Sequence, residues 1–110
     1  NRRISPKIVM IIYNVTISIR PDLEGEVLAW LKNEHIPEIL ETGLFVEHHI
    51  FKIFESSEQP MHNSFAIQYH LESWQHFKEY EANHAPALKE KTLAKYGENL
   101  LAFRTFLEKL

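Results

Sequence analysis

Cysteine is absent from this 110-residue chain, which rules out disulfides, thiolate metal sites and cysteine nucleophiles. That absence fits a reducing compartment, so a cytoplasmic location is the expectation. Glycine is nearly as scarce, with three residues and no cluster. A phosphate-binding loop, a dinucleotide fingerprint and a nucleophile elbow therefore all lack the residues they need. No apolar run approaches the ~20 residues of a membrane span. Positive charge is not in excess either: the formal net charge is −3 and the lysines are scattered, so no basic face is offered to nucleic acid. Arg2, Arg3 and Lys7 precede an apolar run, but Asn14 and Thr16 interrupt that run and no small-residue cleavage site follows, unlike a signal peptide. Residues 1–9 are read as an extension, and residues 10–110 as a single domain.

What is present is an ordinary globular composition, 45% hydrophobic and 12% aromatic, at a length suited to one core. The clearest stretch is Met10–Ile19, where Ile11, Tyr13, Val15, Ile17 and Ile19 alternate with Ile12, Asn14, Thr16 and Ser18. Period-two alternation of this kind is a strand with one face on a core. Arg20-Pro21-Asp22 then turns the chain, and Asp22 is the predicted N-cap of a helix with Leu23, Val27, Trp30 and Leu31 along one stripe. Pro37 predicts a break or kink near Ile36, and Gly43 a left-handed stop.

Residues 44–54 read as a second strand, with Val46, His48 and Ile50 on one side and Glu47, His49 and Phe51 on the other. Both sides hold histidine and large apolar groups, so the pattern leaves open which is buried. The polar residues 55–63 include Pro60 and predict a turn. A third strand follows at residues 64–71, with Phe65, Ile67, Tyr69 and Leu71 on its apolar side. Ser73 caps a second helix whose stripe is Trp74, Phe77, Tyr80 and His84; Pro86 interrupts it, and residues 87–96 continue to Gly97. Residues 100–107 form the fourth strand. The order strand, helix, strand, strand, helix, strand is the α+β ferredoxin-like plan, βαββαβ, with a four-stranded antiparallel sheet.

Both helices of that plan cover one face of the sheet, and the other face needs water, a ligand or a second subunit. The set assigned to it is Ile12, Asn14, Thr16, Ala66, Gln68, His70, Arg104 and Phe106, too apolar for plain solvent and too polar for a dry core. Such a face fits self-association around a small pocket. A homodimer follows, with a candidate ligand site of Asn14, Gln68, His70 and Arg104, where Arg104 suits a carboxylate or phosphate. Secondary candidates are His35, His49, Tyr69 and His84. The bland alternative is an interfacial hydrogen-bond network, or Arg104 paired with Glu47 or Glu108.

Five blocks carry a family resemblance: MIIYNVT at Met10–Thr16, EHIPEIL with TGLF at Glu34–Phe45, AIQY at Ala66–Tyr69, HAPAL at His84–Leu88 and AFRT at Ala102–Thr105. In this order, and over essentially the whole domain, they resemble DUF4286, a bacterial domain of unknown function. The resemblance implies a small cytoplasmic protein of dimeric α+β barrel type and no established activity. Other dimeric α+β barrels include cofactor-independent and haem-degrading monooxygenases. The haem-degrading ones use an asparagine on the first strand with a tryptophan and a histidine on the second helix. Asn14 fits, but Trp74 and His84 sit early, and Lys89, Glu90 and Lys91 stand where the histidine belongs. That departure argues against haem degradation.

Metal signals along the sequence are weak. His48 and His49 are adjacent and point to opposite sides of a strand. His76 and His84 share a helical stripe but lie eight residues apart, roughly 12 Å along the axis and too far for one ion. No resident metal or cofactor is assigned. The sequence therefore predicts a homodimer that binds a small molecule or a protein partner at its open sheet face. A cofactor-independent monooxygenase or isomerase and a purely structural subunit are the alternatives.

Overall fold

A computed structural model describes residues 10–54 and 62–110. The extension at 1–9 and most of the predicted turn, residues 55–61, lie outside the described residues. Four strands, β1 (Ile11–Ile19), β2 (Glu47–Ile53), β3 (Asn63–Leu71) and β4 (Leu100–Glu108), form one antiparallel sheet in the order β2-β3-β1-β4. Helical segments join β1 to β2 and β3 to β4, which gives the ferredoxin-like arrangement that the element order predicts.

The first connection is one helical path in several pieces. A 3₁₀ turn at Pro21–Leu23 leads into α1 (Glu24–Trp30), a π turn spans Leu31–His35, and α2 (Ile36–Leu40) closes the path. Asp22 does not cap it. Its carboxylate accepts two hydrogen bonds from Arg20, at 2.8 and 3.1 Å, while Pro21 sets the entry and needs no capping partner for a missing N–H. The α-helical ladder is interrupted directly before Ile36, where Pro37 predicts a break or kink: the wider π turn at Leu31–His35 relaxes the hydrogen bonds where the proline ring would clash. Gly43 ends the segment at φ 75°, as its position predicts.

In the second connection, α3 (Trp74–Asn83) starts on Ser73, whose hydroxyl accepts from the His76 N–H at 3.2 Å. The break falls at His84, and α4 (Ala85–Tyr96) takes Pro86 in its first turn before stopping at Gly97, φ 53°. The core lies between these helices and one face of the sheet. Ile11, Tyr13, Ile17 and Ile19 of β1 and Phe65, Ile67, Tyr69 and Leu71 of β3 are buried there with Val27, Leu31, Ile36, Ile39, Tyr80 and Leu88 of the helical layer.

The register fixes what faces out. Val15 pairs with Arg104 and Tyr13 with Phe106 across β1 and β4, so Arg104 and Phe106 share the helix-covered face, contrary to the sequence assignment. Side chains directly opposite in a ladder share a face. The open face instead takes Leu101, Phe103, Thr105 and Leu107 from β4. On β2 it takes Glu47, His49, Phe51 and Ile53, because His48 and Ile50 oppose the covered Tyr69 and Ile67. Among the described residues no helix is long and apolar enough to cross a membrane.

Candidate functional site

The candidate residues divide between the two faces of the sheet. On the covered side, a cavity of about 50 Å³ lies between the sheet and the helices, bounded in part by Tyr13, Trp30, His35, Tyr69, Tyr80 and Arg104. Tyr13 is its hub. Its ring lies 5.1 Å from that of Phe77, 6.0 Å from Tyr80 and 6.2 Å from Tyr69. Arg104 reaches in from β4 and donates from Nε to the Tyr13 hydroxyl at 2.9 Å. It pairs with neither Glu47 nor Glu108; among the described residues the guanidinium makes no ion pair, which leaves its other donors for a ligand.

Burial pushes the Tyr13 hydroxyl pKa up, and the nearby Arg104 charge only partly offsets this. Desolvation raises Tyr69 and Tyr80 strongly as well. All three are therefore neutral phenols at physiological pH. His35 moves the other way: burial first, then the Arg104 and Lys91 charges, lower its pKa against an opposing pull from Glu38. A neutral imidazole at pH 7 is a proton acceptor.

The π turn is what places His35. Its ring stacks on Trp30 at 4.6 Å and 21°, although five residues separate them. On an α-helix that spacing leaves two side chains about 140° apart, whereas an i→i+5 turn brings them to one side.

The open face collects a different set. Asn14 and Gln68 oppose each other in the β1–β3 register, and His70 is two residues along from Gln68. Asn14 donates from Nδ2 to the hydroxyls of Thr105 and Thr16, both at 3.1 Å. Its Oδ1 and the Nε2 of His70 are buried without a hydrogen-bond partner among the described residues. His49 lies beside them, its Nε2 3.0 Å from a Glu47 oxygen. Around this polar strip stand Phe51, Leu101, Phe103 and Leu107, all exposed; Phe103 is 64% accessible.

Thus Asn14, Gln68 and His70 share one face as grouped from the sequence and His49 joins them there, while Arg104, Tyr69 and His35 meet on the other. His84 joins neither group: it sits at the α3–α4 break, its N–H bonded to the Tyr80 carbonyl at 2.9 Å and its ring stacked on that of Tyr80. Tyr13, Trp30 and Tyr80 were legible only as core. Glu47 was legible as the neighbour of His49 on one side of a strand, but its meeting with His70 needs the β2–β3 register.

The profile of the domain of unknown function DUF4286 matches residues 10–110. The chain belongs to the DUF4286 family. Among proteins of curated function, none matches it in sequence. Solved structures share the fold at low identity. An EthD (ethyl tert-butyl ether) family protein from Bacillus halodurans is 10% identical with a TM-score of 0.67, the match covering 91% of this chain and 99% of that one. A dimeric ferredoxin-like protein from an uncultured marine organism is 9% identical with a TM-score of 0.58, over 93% and 96% of the two chains. A provisional antibiotic biosynthesis monooxygenase from Bacillus cereus is 14% identical with a TM-score of 0.59, again over 93% and 96%. These likenesses concern this DUF4286 domain's fold.

Proposed function

We propose that this DUF4286 protein is a homodimer, joined through the open faces of two sheets, and that each chain binds a small anionic organic molecule in the cavity under its helices. The observation that carries the ligand reading is Arg104. It is a cation with no acidic partner among the described residues, its Nε already oriented by Tyr13, at the edge of an aromatic cavity. A guanidinium so held suits a carboxylate, and a space of about 50 Å³ suits a short one of acetate size. The ligand site of the sequence reading thus moves off the open face, and Asn14, Gln68 and His70 become contact residues of the dimer.

The dimer reading rests on the apolar side chains of β4 that face out and on the buried Asn14 Oδ1, without a partner among the described residues, which a second chain can satisfy. A fold neighbour described as dimeric supports it. A cofactor-independent oxygenation or isomerisation in the same cavity is the second reading. It is favoured by the neutral His35 lining the same cavity as three tyrosines, a base and proton donors on one space, and by the fold likeness to the Bacillus cereus protein.

Sedimentation and ligand titration test both halves. At micromolar concentration the chain is expected to sediment at twice its 13.0 kDa mass; a 13.0 kDa species alone would end the dimer reading. Short carboxylates such as acetate and propionate are expected to raise the melting temperature of the wild type and not of Arg104→Ala, with the dimer unchanged in both. An equal response from the two proteins would remove Arg104 from any site.

A further inference from the structure

Three donors that the cavity does not use meet at the edge of the open face. Glu47 and His49 are two residues apart on the edge strand β2, so both project to the open side, and His70 lies opposite Glu47 across the β2–β3 ladder. His49 Nε2 is 3.0 Å from one Glu47 oxygen and His70 Nδ1 is 3.9 Å from the other. One ligand atom from each of the three lies within 4.8 Å of the other two. An ion about 2.0–2.2 Å from each donor holds those donors roughly 3.0–3.5 Å apart, so modest side-chain rotation closes the set. The side chains of Glu47 and His49 are about half exposed and able to turn, whereas His70 is 13% exposed and forms a fixed anchor.

His70 supplies a second observation. Among the described residues its Nε2 is buried with no partner, and its Nδ1 is beyond hydrogen-bond distance of the nearest acid. Nδ1, the nitrogen nearer Glu47, is thus left to take a cation.

We propose that Glu47, His49 and His70 bind a divalent first-row transition-metal ion, with zinc the best fit. Two imidazoles and one carboxylate are borderline donors that favour Zn²⁺, Co²⁺ or Ni²⁺ over Mg²⁺ and Ca²⁺, which prefer all-oxygen shells. Three protein ligands leave at least one coordination position open. The site is independent of the Arg104 cavity, and each is tested without the other.

The test uses the full chain without a purification tag, stripped by chelator and titrated calorimetrically with Zn²⁺, with Co²⁺ absorption reporting the donor set. Saturation at one ion per chain is expected. His49→Ala and Glu47→Gln should each weaken binding at least roughly tenfold, while His48→Ala, on the other side of β2, should leave it unchanged. His70→Gln serves as a third variant, read beside its circular dichroism to confirm folding. Absence of saturable binding overturns the proposal, and so does an equal loss in His48→Ala, which would mean scattered histidine coordination. Binding retained in the Leu101→Glu chain, whether or not that chain dimerises, is expected; its loss there would overturn the assignment of all three ligands to one subunit.

Discussion

The two faces of the sheet use the same four strands to opposite ends. Beneath the helices, β1 and β3 contribute side chains that are almost entirely buried, with Ile67 at 1% exposure. On the other face the sheet presents Phe51, Leu101, Phe103 and Leu107 to solvent, next to an asparagine that is itself buried. Burying apolar area is worth about 25 cal/mol per Å² wherever it occurs. A single chain collects that stabilisation on one face only. The contrast is sharpest in β4, whose more apolar side, Leu101, Phe103 and Leu107, is the one turned away from the core. A strand patterned this way carries two burial instructions, one for folding and one for assembly.

Truncation on each face gives the largest difference. Ile67→Ala should cost about 2–5 kcal/mol, the range for emptying a well-packed core site, read as a lowered urea midpoint with an unchanged slope. Phe103→Ala, measured at a dilution where the chains are separate, should stay within about 0.5 kcal/mol of wild type, as other surface changes do. Similar losses at the two positions would make both faces part of one monomer core and abolish the distinction. Next in size is Phe103→Glu. In the dimer it should cost at least ~2 kcal/mol, roughly thirtyfold in dissociation constant, seen as a shift toward the single-chain species in sedimentation. No shift would place the contact elsewhere.

How far this division was legible in the sequence differs by strand. In β1 the alternation is unequal, since Asn14, Thr16 and Ser18 mark one side as the polar one, and the structure agrees. In β3, Phe65, Ile67, Tyr69 and Leu71 against Ala66, Gln68 and His70 do the same. In β4 both sides are apolar, and neither composition nor period-two spacing carries the phase; the β1 register carries it, by pairing Val15 with Arg104. That one slip of phase moved Arg104 from the covered cavity to the open face and split the candidate ligand site. β2 was ambiguous for the same reason. At Pro37 the sequence marks where an α-helix is strained but not that a π turn at Leu31–His35 takes up the strain. Glu47, His49 and His70 come together only through the pairing of two strands, so a search along single elements passes over them.

On the covered face, Tyr13→Phe keeps the ring and removes the hydroxyl that accepts from Arg104. Loss of one such hydrogen bond at a partly exposed arginine should cost about 1 kcal/mol, measured by chemical denaturation. The same variant should lose much of the response to short carboxylates, because the guanidinium is no longer oriented. A full response with reduced stability would make the bond structural alone.

The smallest effect distinguishes the faces by pH. His35 is on the covered side, and its folded pKa is below the ordinary 6.5 because burial disfavours the cation. The unfolded chain therefore binds more protons than the folded one in the window between that lowered value and 6.5, and stability rises with pH across it. The contribution is complete above pH 6.5 and is lost as pH falls below it, until both states are protonated. Glu38 works against this shift while Arg104 and Lys91 work with it, so the net slope is shallow. His35→Gln should flatten the wild-type dependence of melting temperature between pH 5 and 7. The difference between the two proteins isolates this group, since the carboxylates titrate alike in both. A wild-type slope unchanged by the substitution would mean that His35 meets water in the folded protein, and it would withdraw the neutral base on which the catalytic reading of the cavity depends.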